Sequence, residues 1–230
     1  MMQFGRRDGG DAMTLHFLSD TRSRPMESLA VRSMEPPSNW EQDLVWRMSR
    51  ARPRHTVRGL NFTGALEAVR SLQGEKAVQR CLEVGGEEKF LDFFSYPAHS
   101  LLRMYSFAAE LLAPTLGGGD AVLRELGRRA TLDFLASPVG RAAKVLAQGN
   151  PRRMVESAPE IYRQTMGFGS LSVAWTGPRS GCVVRRGDFL PAECHEASFE
   201  QLLRSMGVRQ AKVRRAWVDG LEGGLAFSWE

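Results

Sequence analysis

Cys194 and His195 stand side by side between Glu193 and Glu196, a grouping that could ligate a metal or pair a thiolate with a base. A nucleophile–base dyad needs the two groups in hydrogen-bond reach and a third group orienting the base. Adjacent side chains diverge on most backbones, and spacing identifies no distant ligand to complete a metal set. Neither catalysis nor metal binding is therefore expected at this pair. His99 opens the longest helical stripe, beside Tyr96 and ahead of Arg103. As a haem or metal ligand it would need partners aimed at the same cavity, which the sequence does not supply, so a partly exposed helix-start histidine is the simpler reading. If a ligand pocket exists, Tyr96, His99, Arg103, Met104 and Tyr105 are its candidate lining, because flexible methionine suits irregular apolar cavities. His16 and His55 fall in an extension and a linker, where solvent exposure is expected. Cys81 falls on an apolar stripe and reads as core.

Gly117-Gly118-Gly119-Asp120 resembles a phosphate cradle at first sight. It lacks the Gly-Lys-Ser/Thr ending of a nucleotide loop and follows a helix instead of a strand, so it reads as an interhelix turn. Arg124, Arg128 and Arg129, and the pair Arg152-Arg153, read as solvated helix faces. No catalytic residue, metal or cofactor is expected.

These residues must be positioned by a chain of 230 residues, 43% hydrophobic and 25% charged, values of a globular domain with an extension. No apolar run reaches the roughly 20 residues of a membrane helix. Three widely spaced cysteines make no disulfide framework, and a reducing cytoplasm is the simplest setting. The net charge is +5, and residues 1–58 hold 10 Arg against 7 Asp and Glu. That bias could mark a nucleic-acid-binding arm, but aromatic interleaving is missing and an Arg-biased tail is favoured.

Residues 1–56 read as an extension and linker, partly disordered, with a domain proper over 57–230. Asn39 opens a short helix inside the extension, with Trp40, Leu44 and Met48 on one face and Gln42 placed as a capping-box partner. From Leu60 the period is helical. One stripe (Ala65, Leu66, Val69, Leu72) closes at Gly74, and another (Ala77, Val78, Cys81, Leu82) at Gly85-Gly86. A long stripe from Leu101 to Leu112 should be ended by Pro114 and Gly117 to Gly119, with Asp120 capping the next helix. Ser137-Pro138 and Asn150-Pro151 are cap-then-proline helix starts, and Pro159 should split or kink the last helix. The period changes at Gly167-Phe168-Gly169, where Leu171, Val173 and Trp175 alternate with small residues as in a half-buried strand. A second strand (Cys182–Arg186), a helix around Phe199 to Met206 and a closing hairpin about Gln210–Val218 and Gly224–Trp229 complete the pattern. Val213 and Trp217 should share a face, as should Leu225, Phe227 and Trp229. The fold class is α+β: an N-terminal helical bundle packed on a C-terminal antiparallel sheet, strand–strand–helix–strand–strand.

Four stretches together, "VRGLNFTGALEAV", "GGGDAVLRELGRRAT", "GNPRRMVESAPEIYRQTMGFGSLSV" and "LLRSMGVRQAKV…LAFSWE", resemble a myxobacterial paralogous domain family of unknown function. That family is distantly similar to the 4-vinyl reductase and haem-NO/oxygen-binding domains. The resemblance implies a regulatory or ligand-sensing module and no defined reaction. One feature frequent in the family is missing here: the final hairpin has no cysteine pair, so zinc is not supported. The Tyr-x-Ser-x-Arg haem-propionate signature of the haem-NO domains is missing too.

The expected function is a non-enzymatic regulatory module that senses a small apolar ligand or binds a protein partner in signalling. An enzyme with an unrecognised pocket and nucleic-acid binding through the Arg-rich extension are the alternatives. A membrane partner is not expected, and a homodimer is left open.

Overall fold

A computed structural model describes residues 39–230. The expectations for residues 1–38, the bulk of the extension with its Arg-biased tail and His16, lie outside the described residues. The helical part runs α1 (Trp40–Met48), a short strand β1 (Thr56–Arg58), α2 (Leu60–Gln73), α3 (Glu75–Gly85), a second short strand β2 (Ser95–Pro97), α4 (Ala98–Leu116), α5 (Gly119–Ala136), α6 (Pro138–Ala147) and α7 (Pro151–Thr165). The sheet part follows as β3 (Ser170–Gly177), β4 (Ser180–Arg186), α8 (Ala192–Ser205), β5 (Lys212–Asp219) and β6 (Glu222–Ser228). This is the expected α+β order. The four strands are antiparallel in the order β3-β4-β6-β5, so β6 returns to the sheet centre beside β4.

Local chemistry sets the boundaries. The Asn39 side chain accepts from the Gln42 amide at 2.9 Å, Ser137 from Gly140 at 3.1 Å, and Asn150 from Arg152 at 2.9 Å. Each satisfies an amide that the first helical turn leaves without a partner. Pro138 and Pro151 occupy first helical positions, where the missing N–H costs nothing. Two prolines lie inside helices. Pro114 sits in the last turn of α4, and the helix ends at Gly117, φ 88°, the first of the glycines expected to close it. Pro159 lies within an unbroken α7, because buried Met154, Val155, Ala158 and Tyr162 hold both halves against the rest of the protein. Asp120 does not cap α5; it is the second helical residue, after Gly119.

The helix carrying Leu44 belongs to the folded body, although the sequence reading sets the boundary at residues 56 and 57. Leu44 is fully buried with Phe62, Leu101 and Leu123, and Trp40 and Met48 pack on the same core. β1 pairs with β2, setting Val57 opposite Tyr96, a pairing no periodicity announces. A second core forms between α7, α8 and the sheet, where Met154, Val183, Phe199, Leu203, Leu225 and Phe227 meet. Each such side chain contributes about 1.5–3 kcal/mol on burial.

The closing hairpin departs from expectation at one place. The β5–β6 register shifts between Arg215 and Trp217. Val213 stays with the inner core, while Trp217 lies over Gly224 on the opposite face, where a Cβ would come within 2.2 Å of the indole nitrogen. The bulge thus separates two side chains that strict alternation would place together. The Arg215 amide is taken up by Glu196 Oε1 at 2.9 Å.

Candidate functional site

The junction between β4 and α8 gathers buried charge. Arg185, the penultimate residue of β4, is on the inner face of the sheet with Val183 and extends over Gly223, where only a residue without a side chain leaves room. The chain then turns through Gly187, φ 62°, into Asp188. Asp188 Oδ1 accepts from the Leu190 amide at 2.8 Å, which closes the turn locally. Arg47 of α1 donates from Nη1 to the carbonyls of Asp188 and Leu190, both at 3.1 Å, and from Nε to Asp43 at 2.7 Å. A residue 141 positions away therefore clamps this turn.

His195, in the first turns of α8, brings Nε2 to 2.6 Å from Asp188 Oδ2, off the line of a full hydrogen bond. Arg185 Nη1 reaches the same oxygen at 3.5 Å. Burial alone would raise the Asp188 carboxyl, but His195, Arg185 and the Leu190 amide outweigh it and hold the group far below the usual carboxylate range. Burial lowers His195 from its ordinary value, with Arg185 and Arg47 acting in the same direction against Asp188. The imidazole is neutral and the carboxylate charged.

Beside this network lies a cavity of about 140 Å³. Its apolar wall is Leu60 of α2, Phe134 of α5, Ile161 of α7, Leu171 of β3, and Phe199 and Leu202 of α8. Tyr105, Tyr162, Cys194 and His195 belong to its polar lining, together with Asn61, Thr131, Thr165 and Ser198. The Tyr162 hydroxyl is buried beside the Asp188 carboxylate, and burial first, then that carboxylate, pushes its pKa well up. Tyr105 and Cys194 are likewise raised by burial. A protonated thiol is a poor nucleophile, and the neighbouring imidazole is turned toward Asp188, so the Cys194-His195 pair makes no dyad.

Of the five pocket residues expected from sequence, the structure brings one to this cavity. Tyr105 of α4 lines it. Met104 is buried in the helical core. Tyr96 packs on Phe62 and Phe90, its hydroxyl accepting from the Leu91 amide at 2.9 Å. His99 and Arg103 are exposed on the outer face of α4. Sequence reasoning missed Asp188 and Tyr162 altogether. The one available signal was a charged residue inside the otherwise apolar run around Gly187-Asp188-Phe189-Leu190. Among the described residues no group of three or more His, Cys, Asp or Glu is placed to hold a metal ion, and no helix is long and apolar enough to cross a membrane.

Comparison with known proteins adds a family and a fold. The family described as "Protein of unknown function (DUF2378)" matches residues 50–230. The chain has no match among curated proteins. Solved H-NOX proteins share its fold. The H-NOX protein from S. oneidensis in the Fe(II)NO ligation state is 11% identical with a TM-score of 0.60, covering 75% of this chain and 99% of its own. The Fe(II) unliganded H-NOX protein from K. algicida is 16% identical with a TM-score of 0.58, covering 75% and 96%. An oxygen-binding H-NOX domain related to soluble guanylate cyclases is 12% identical with a TM-score of 0.58, covering 75% and 95%.

That fold raises the question of haem, and the residues present do not fit it. The cavity of about 140 Å³ is well short of the roughly 300–1,000 Å³ of ordinary ligand pockets, and a porphyrin is a large ligand. The helices bounding it close on each other through backbone. A Cβ on Gly127 of α5 would lie 2.1 Å from the carbonyl oxygen of Cys194 on α8. At that point α5 and α8 leave no room for a macrocycle between them.

Proposed function

We propose, for a chain that belongs to the DUF2378 family, that the protein is a non-enzymatic regulatory module holding one small, mainly apolar ligand in the cavity between α2, α5, α7, α8 and β3. The cavity carries the reading: its lining is mainly apolar, with a few polar side chains, His195 and Tyr162 among them, beside the buried Asp188 network. The protonated Cys194 thiol and the engaged His195 support a binding role over a catalytic one. The H-NOX neighbours include an oxygen-binding domain and an Fe(II)NO complex, which supports a sensing role for this architecture. In this chain the ligand meets the protein directly, without haem. Two measurements on the full chain test this: visible absorption during titration with hemin, and native mass spectrometry of freshly purified protein. The expected result is no stoichiometric haem complex and a bound organic molecule of small mass. A one-to-one haem complex would overturn the proposal.

A further inference from the structure

We infer that the outward face of the four-stranded sheet is a dimer interface, on which a second copy of this chain packs face to face with its strands reversed. The inner face is already covered, since α7 and α8 pack there on Val183, Leu225 and Phe227. Register defines the other face. Ser172, Val184 and Gly224 lie side by side in one row, and Ala174, Cys182 and Ala226 in the next. Trp217 lies over Gly224 at the β5 edge. An antiparallel face left to solvent normally turns polar side chains outward along its whole length. Here the centre holds no charge, and the charged residues stand at the two ends, as in an interface with an apolar middle and a polar rim.

The charges select the occupant. Lys212 and Arg214 sit at one end of this face, and Asp219 and Glu222 at the other. All four are exposed, and none makes an ion pair among the described residues. Asp219 and Glu222 are directly opposite each other in the β5–β6 pairing, an arrangement of like charges that is unfavourable until a cation reaches it. A partner of one sign would satisfy one end and oppose the other. A second copy satisfies both. A two-fold axis lying in the interface and running across the strands sets each end of one copy over the opposite end of the other. Lys212 and Arg214 of each copy then face Asp219 and Glu222 of its mate. Arg186, the remaining charge of the face, falls over Ser180 of the second copy. The same packing with strands parallel would set like against like.

Shape and size agree with this. With no long charged side chain at its centre, the face can approach a second sheet at the usual separation of about 10 Å. Four strands of seven or eight residues, about 4.8 Å apart and rising about 3.3 Å per residue, make a face of roughly 19 by 25 Å. Two such faces bury on the order of 1,000 Å² together, which is at the lower limit for a specific interface. Association is therefore weak and depends on concentration.

Sedimentation velocity of the full chain across micromolar to millimolar concentrations, at low and high salt, tests the inference. The expected result is a monomer–dimer equilibrium that weakens as salt rises. Lys212→Glu and Asp219→Lys should each weaken association by about tenfold or more, because each sets like charges together. Combining both changes in one chain should restore dimers, as should mixing the two single variants, which then pair as a heterodimer. The changed positions are exposed, so circular dichroism of every variant should match the wild type. A wild type that stays monomeric throughout would overturn the inference. So would a dimer that neither single reversal weakens, or a folded double variant and a mixture that both stay monomeric. The cavity reading stands or falls separately.

Discussion

The Nε2 atom of His195 lies 2.6 Å from Oδ2 of Asp188, and the two side chains are 12% and 0% exposed. This contact joins the start of α8 to the turn that leaves β4, and it ties the cavity wall to a charge network reaching back to α1 through Arg47. A buried carboxylate in such a network is costly to expose or to strip of its partners.

The network makes stability depend on acid. His195 is held below its ordinary 6.5, so below that pH the unfolded chain takes up a proton that the folded chain does not. Stability is full above pH 6.5 and falls as pH drops through it. Asp188 acts in the same direction further down. Its carboxyl is held far below 3.8, so stability is lost again as the unfolded chain protonates there. Denaturant midpoints measured from about pH 7.5 to 4.5 should fall steadily, and His195→Gln should flatten the upper part of that fall. A rise in wild-type stability between about pH 7 and 5.5 would contradict the assignment of a buried neutral imidazole.

Removing the clamp should be severe. Arg47→Met keeps the apolar stem but leaves Asp43 and two turn carbonyls without their donor. Loss of one partner from a buried charged network typically costs about 3–5 kcal/mol. Chemical unfolding of this variant should show a loss of that order, whereas Arg163→Met, whose Arg pairs with Glu160 at the surface, should stay within about 1 kcal/mol of wild type.

Close helix packing gives a second prediction. In Gly127→Ala the new methyl would meet the Cys194 carbonyl at 2.1 Å, and backbone cannot move aside cheaply. Overpacking of this kind costs about 1–3 kcal/mol. Gly74→Ala is a control of another type, since nothing lies within 4 Å and only the φ of 77° opposes it. The first variant should lose stability and perturb the cavity, seen as altered tyrosine near-UV circular dichroism; the second should leave that spectrum unchanged.

Much of this architecture is written locally. Asn39, Ser137 and Asn150 cap by side-chain chemistry that acts within three residues, and the alternation of Leu171, Val173 and Trp175 follows from strand geometry. The site is not local. Arg47, Tyr162, Asp188 and His195 come from three separate stretches, and only the tertiary fold brings them together. Pro159 does not split α7, because packing on both sides outweighs one lost hydrogen bond. The Trp217 expectation failed because a bulge, supported by Glu196 from α8, inverts the alternation after Arg215.

The closing hairpin should prove essential where it is buried and indifferent where apolar residues are exposed. Phe227 touches Trp175, Phe199 and Trp229, and Phe227→Ala should cost about 3–5 kcal/mol. Leu146, 77% exposed on α6, should change stability by less than about 0.5 kcal/mol when cut to alanine. Urea unfolding of the two variants compares them directly.

The most direct test of the central claim is thermal unfolding of the wild type and of Ala158→Leu, which fills the cavity from α7, with increasing benzene. A ligand that binds only the folded state raises the midpoint with concentration. The wild type should show that rise and Ala158→Leu should not. Midpoints that rise equally in both proteins, or in neither, would contradict a ligand site between α2, α5, α7, α8 and β3.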